Sequence, residues 1–191
     1  MSHIMIDLET FGIDPGCAVL SIGAVIFDPT STAKSFKPNK KQDECFYAII
    51  DLQSCLDFGC HVSGSTINWW MQQNPDALRE LIKNPKPLDT VLRDFNHWFR
   101  MQDGVYPWSH GSGFDIVLLE ELFRLIQKKG INGKPPWKFF NIRDTRTLFD
   151  IAGVDPDRSK GTHHNALDDA INQARAALKA FEKIRKGVSQ K

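Results

Sequence analysis

Two aliphatic runs near the start of the chain limit the fold more than any other feature. Residues 3–8 read His-Ile-Met-Ile-Asp-Leu, and residues 18–27 read Ala-Val-Leu-Ser-Ile-Gly-Ala-Val-Ile-Phe. Both are short, apolar and rich in branched side chains, the pattern of buried strands. Gly12, Asp14, Pro15 and Gly16 make the stretch between them turn-rich. Asp28 and Pro29 end the second run, a polar loop extends to about Asp43, and residues 45–50 read as a third strand. Three successive strands with modest connections predict an antiparallel meander.

The pattern then changes. Residues 66–73 and 76–83 read as short helices separated by Pro75, which interrupts helical hydrogen bonding. In residues 88–100, Val91, Leu92, Phe95, Trp98 and Phe99 recur with a helical period. Residues 105–108 read as a strand. Residues 115–129 form a strong amphipathic helix through Ile116, Leu119, Leu122, Phe123 and Ile126, stopped by Gly130. Residues 139–142 are expected to be a last short strand, 144–152 a helix ended by Gly153, and 165–186 a long closing helix. The sum is an α/β fold with a mixed sheet: a three-stranded meander followed by alternating helices and strands. One domain is expected over residues 1–186, with 187–191 as a C-terminal tail.

Composition removes several classes. A chain of 191 residues with 41% hydrophobic content can bury a core without disulfides. Lys and Arg number 24 against 23 Asp and Glu, a balance that argues against a nonspecific nucleic-acid coat protein but leaves local phosphate contacts open. Cys17, Cys45, Cys55 and Cys60 lack the close pairing that zinc favours. A cluster of Cys55, Cys60 and His61 is the less favoured reading beside buried free thiols. No apolar run is long enough to cross a bilayer, and no signal-peptide pattern precedes the first strand, so a cytoplasmic location is expected.

The chemistry resides in acidic residues. Asp7 and Glu9 stand two apart at the end of the first strand, so their side chains share one face. Carboxylates held this close repel unless a cation lies between them, and oxygen donors suit magnesium or manganese; two solvated carboxylates at a strand end are the alternative. Asp115 opens a helix after Gly111-Ser112-Gly113-Phe114, where it would also serve the helix dipole. In the closing helix, Ala166, Ala170, Ala174, Ala177 and Phe181 mark the buried stripe. At about 100° per residue, Asp169 flanks that stripe, whereas Asp168 falls nearly opposite it. His164 lies in the loop just before, free to turn into the same cleft or to stay exposed.

Asp7-Leu8-Glu9-Thr10, Phe114-Asp115 and His164-x-Ala166-Leu167-x-Asp169 together resemble, in order and over nearly the whole chain, the three motifs of the DEDDh exonucleases. That group belongs to the RNase T and DNA-polymerase-proofreading superfamily, and the resemblance implies a ribonuclease-H-like fold. Thr66-Ile67-Asn68-Trp69-Trp70 and Arg143-Asp144-Thr145-Arg146-Thr147 resemble its small phage and bacterial branch, which includes phage exodeoxyribonuclease A and bacterial exoribonuclease-like proteins. The chain departs from the wider family at Gly111, where many members carry Asn, and at Phe11, where many carry Thr.

The resemblance implies two divalent cations, magnesium or manganese, held by Asp7, Glu9, Asp115 and Asp169. Asp7 would bridge both, Glu9 and Asp169 would complete the site where the attacking water forms, and Asp115 would act through the other ion or its waters. His164 would be the general base, a task suited to an imidazole pKa of about 6.5. The expected reaction is 3′–5′ exonucleolytic release of nucleoside 5′-monophosphates from the 3′ end of RNA or single-stranded DNA, RNA placed first. Thr10, Phe11, Trp69, Trp70, Arg143 and Arg146 are candidate substrate contacts: the aromatic rings by stacking on bases, the arginines on phosphates, with Lys160 beside them. Likeness to RNase T adds a homodimer to the expectations. The rival readings are a catalytically silent nucleic-acid-binding module and a magnesium-dependent phosphohydrolase of small nucleotides.

Overall fold

A computed structural model describes residues 2–40, 43–154 and 164–188. Its centre is strand β1 (Ser2–Thr10). Strand β2 (Val19–Phe27) pairs with it antiparallel, and β3 (Cys45–Ile49) pairs antiparallel with β2. Strands β4 (Gly104–Ser109) and β5 (Arg143–Asp144) extend the other side, both parallel to β1, giving the order β3-β2-β1-β4-β5. The expected meander is present, and the mixed five-stranded sheet has the ribonuclease-H-like arrangement.

Both faces of the sheet are covered, which is why its central strands read as nearly unbroken apolar runs. Ile4, Ile6 and Leu8 enter one core with α4 (Leu88–Met101) and α5 (Asp115–Lys128). Met5, Val25 and Phe27 enter the other with α6 (Thr145–Ala152) and α7 (Ala166–Val188). Short helices α1 (Leu52–Asp57), α2 (Gly64–Trp70) and α3 (Pro75–Glu80) connect β3 to α4. Among the described residues, no helix is long and apolar enough to cross a membrane.

Three expectations change. Residues 139–142 are not a strand: Phe139–Asn141 is a 3₁₀ turn, Phe139 and Phe140 are exposed, and the pairing begins at Arg143. Helix α1 was not anticipated. It is short and capped by Asp51, whose carboxylate accepts the Ser54 N–H at 2.8 Å. Helix α7 continues past Lys186 to Val188, into the stretch expected to be tail.

The approach of α7 to the sheet depends on one glycine. Gly23 is paired with Asp7 across β2 and β1. A Cβ at Gly23 would stand 2.1 Å from the Ala166 carbonyl carbon and 2.2 Å from the Leu167 nitrogen. The first turn of α7 therefore rests on bare strand backbone, a recognised use of glycine within a sheet. That contact brings the start of α7 over the end of β1.

Candidate active site

Strand alternation puts Asp7 and Glu9 on the α7 face, because Ile6 and Leu8 fill the opposite core. Asn165 caps α7, its side-chain oxygen accepting the Asp168 N–H at 3.1 Å. One turn into that helix, Asp169 meets the strand. Asp7, Glu9 and Asp169 each offer a carboxylate oxygen within 4.8 Å of the others, the one such group of potential metal ligands among the described residues. Cys55, Cys60 and His61 do not form one; Cys17, Cys55 and Cys60 are buried free thiols.

Asp115 opens α5 and is 3% exposed. It lies outside the tight trio, yet its charge acts on both Asp7 and Glu9. Its loop is pinned by Asp144, which accepts the Ser112 N–H at 2.5 Å and the Thr147 N–H at 3.1 Å. Against the cost of burial, these and neighbouring donors hold the Asp144 carboxyl below its ordinary range. Asp144 thus caps α6 and positions the Asp115 loop, a role readable from an Asp immediately before a helix.

The electrostatics of the site are dominated by crowding in a dry place. Burial, then the charges of Asp169 and Asp115, push Glu9 up to about 8. Burial raises Asp115 to about 7, although backbone N–H groups of Asp115 and Leu8 and the Arg146 charge work the other way. Asp7 is raised well above the carboxylate range by burial and then by Asp115, Glu9 and Asp169, with a Gln173 hydrogen bond opposing. Oxygen donors that resist ionisation for these reasons ionise when a positive charge is placed among them. A hard divalent cation fits this donor set.

His164 stands at the same end of the sheet. Its backbone has φ +62°, unusual for a residue with a side chain. Its ring packs edge-on against Trp69 at 4.9 Å and Trp70 at 5.5 Å. His163 and Lys160 lie outside the described residues.

The candidate substrate contacts separate into two groups. Trp69 is 43% exposed beside His164, and Phe11 is partly buried against the neighbouring core. The Arg146 guanidinium lies along the Gly111 backbone, where a Cβ would come within 3.1 Å of it, and its charge reaches Asp115. Trp70, by contrast, is 2% exposed and donates its ring N–H to the Thr10 carbonyl at 2.9 Å, so its face is not open for stacking. The Thr10 hydroxyl is engaged by the Gly12 carbonyl at 2.6 Å. Arg143 does not face the way Arg146 does. It belongs to β5, covers the Tyr106 ring at 4.8 Å and donates to the Phe140 and Ile142 carbonyls at 3.0 and 2.9 Å.

This sheet order and the acidic groups at the end of its central strand are those of a ribonuclease-H-like nuclease, and its relatives make it a DEDD-type 3′–5′ exonuclease, a hydrolase of phosphodiester bonds. Residues 2–181 match the family described as Rv2179c-like, the 3′–5′ exoribonuclease Rv2179c-like domain, and the chain belongs to that family. It is 27% identical over 169 residues to an exodeoxyribonuclease of Enterobacteria phage T4, covering 77% of this chain and 70% of that protein. Its fold is similar to S. pombe Pop2p in the Mg²⁺- and Mn²⁺-bound form: TM-score 0.54 at 13% identity, covering 93% of this chain and 81% of that one.

Proposed function

We propose that this chain removes nucleotides singly from the 3′ end of RNA, using divalent cations held by Asp7, Glu9 and Asp169, with Asp115 completing a two-cation site. The observation that carries this reading is the convergence of three carboxylate oxygens from β1 and α7 within 4.8 Å. When bound, such cations supply stabilisation of the attacking and leaving oxygens of the phosphodiester. The Mg²⁺ and Mn²⁺ of the Pop2p structure support the choice of metal.

The chain's own residues do the rest. His164 takes a proton from the attacking water on an imidazole nitrogen. The water oxygen bonds to phosphorus, the P–O3′ bond breaks, and a proton passes to the 3′ oxygen of the shortened strand. The product is a nucleoside 5′-monophosphate. Trp69 offers its exposed face to a terminal base, and Arg146 offers a charge to a phosphate near Asp115.

RNA is placed first because the family is described by exoribonuclease activity. Single-stranded DNA is the second reading, favoured by the phage exodeoxyribonuclease relative. Matched 5′-labelled RNA and DNA strands, incubated with Mn²⁺, with Mg²⁺ or with chelator, test both. The expected result is a one-nucleotide ladder on RNA that chelator abolishes. Faster loss of DNA reverses the order of substrates, and no shortening of either strand with either metal defeats the cation reading.

A further inference from the structure

Gln173 lies one helical turn beyond Asp169 on α7, and residues four apart on a helix share a face. Its Nε2 donates to Asp7 Oδ1 at 2.7 Å. Its Oε1 is buried without a hydrogen-bond partner. A buried amide oxygen left unpaired is destabilising, so stability of the cation-free chain alone gives no reason for an amide here. Its use must lie in what the other end of the amide does.

Asp7 projects from β1, the strand at the middle of the sheet, and among the described residues its side-chain donor is the Gln173 amide and not a basic group. A carboxyl group rotates about the bond to its Cβ. A single strong donor on Oδ1 fixes that rotation, and with it the direction of the second oxygen. We infer that Gln173 is a positioning residue: it holds the Asp7 carboxylate in the orientation that receives the cation. α7 thus contributes both Asp169, a proposed ligand, and the amide that aims the ligand facing it. Partners of this kind typically change metal affinity by about 10- to 100-fold when removed. The inference rests on the cation reading of Asp7, Glu9 and Asp169.

Two substitutions test it. Gln173→Met keeps the length and removes the donor; Gln173→Leu removes it with a shorter, branched side chain. Mn²⁺ binding is measured by titration calorimetry and by the loss of the free-ion paramagnetic signal, alongside thermal melting in chelator. The expected result is a fall in Mn²⁺ affinity of about tenfold or more, with a cation-free melting temperature little changed, because the unpaired Oε1 goes as Asp7 Oδ1 loses its donor. At saturating Mn²⁺, KM for an oligonucleotide stays unchanged. Unaltered Mn²⁺ affinity in either folded variant overturns the role of Gln173 while leaving the cation site standing. So does a loss of affinity matched by a fall in cation-free stability in both variants, which would mark a merely structural residue. Failure of the unaltered chain to bind Mn²⁺ removes both readings.

Discussion

Asp168 and Asp169 are adjacent on α7 and serve different partners. Asp168 forms an ion pair with Lys40 from the loop after β2, whereas Asp169 turns to Asp7 and Glu9. One residue of helix rotates a side chain by about 100°, enough to take the first out of the acidic pocket. Asp169→Asn is therefore expected to lower exonuclease turnover by about 100- to 1,000-fold, in line with the loss of a major electrostatic contributor, with the melting temperature retained. Asp168→Asn changes a carboxylate that lies outside the gathered group and pairs with an exposed lysine, and should leave turnover within about threefold. Initial rates on one labelled oligonucleotide decide the matter, and the reverse ranking would exchange the two aspartates.

The raised carboxyls set the sign of a pH dependence. Glu9 rises from 4.5 to about 8, and Asp115 from 3.8 to about 7. Each therefore binds its proton more tightly folded than unfolded. Their contribution to cation-free stability is full below about pH 4 and is lost as pH rises through 7 to 8. In chelator, the melting temperature should fall between pH 6 and pH 8.5, by about 2–4 °C for each kcal/mol in a chain of this size. Mn²⁺ should reverse the trend, because deprotonated carboxylates are its ligands and its stabilisation grows with pH. Melting curves across that range, with and without Mn²⁺, provide the check. A cation-free melting temperature that climbs steadily with pH would contradict the crowded-carboxyl description.

Much of this arrangement was legible in the sequence, and the failures share a cause. Long periodic segments carry their own evidence: the aliphatic runs of β1 and β2 and the alanine stripe of α7 identified the sheet and ranked Asp169 above Asp168. Phe139 and Phe140 misled because two aromatic residues resemble a buried strand, yet both project outward from a 3₁₀ turn. Arg143 and Arg146 are both candidate phosphate contacts in the sequence, but the strand-to-helix change between them sends one to Tyr106 and the other towards Asp115. Lys40 and Gln173 gave no local signal at all. Their partners, Asp168 and Asp7, are remote in sequence, and only tertiary structure brings them together.

The tryptophan pair separates binding from stability. Trp69 exposes a face near His164, so Trp69→Ala should raise KM for a single strand by roughly 5- to 150-fold, the equivalent of about 1–3 kcal/mol per stacked base. Trp69→Phe should recover much of that loss. Trp70→Ala removes a ring that is 2% exposed together with its bond to the Thr10 carbonyl. It should destabilise the fold by about 3–5 kcal/mol, the usual cost of deleting a buried aromatic side chain. Steady-state kinetics paired with denaturant melts distinguish the two. A large stability loss for Trp69→Ala with unchanged KM would show that its ring supports the fold and does not receive substrate.

Gly23 offers the sharpest test of how the site is assembled, because it contains no chemistry of its own. It sits directly across from Asp7 and supports the backbone of Ala166 and Leu167. A methyl group there would meet backbone atoms at 2.1 to 2.4 Å, and backbone cannot yield as the end of a flexible side chain can. Gly23→Ala must therefore lift the first turn of α7 away from β2. Overpacking of this sort costs about 1–3 kcal/mol, so the folded chain should survive with a lowered melting temperature. The displacement also carries Asp169 away from Asp7 and Glu9, so Mn²⁺ affinity and turnover should fall together although every ligand is present. Restored turnover at high Mn²⁺ would support that coupling. Gly23→Ala with unaltered stability and metal affinity would mean that α7 does not rest on the strand as described.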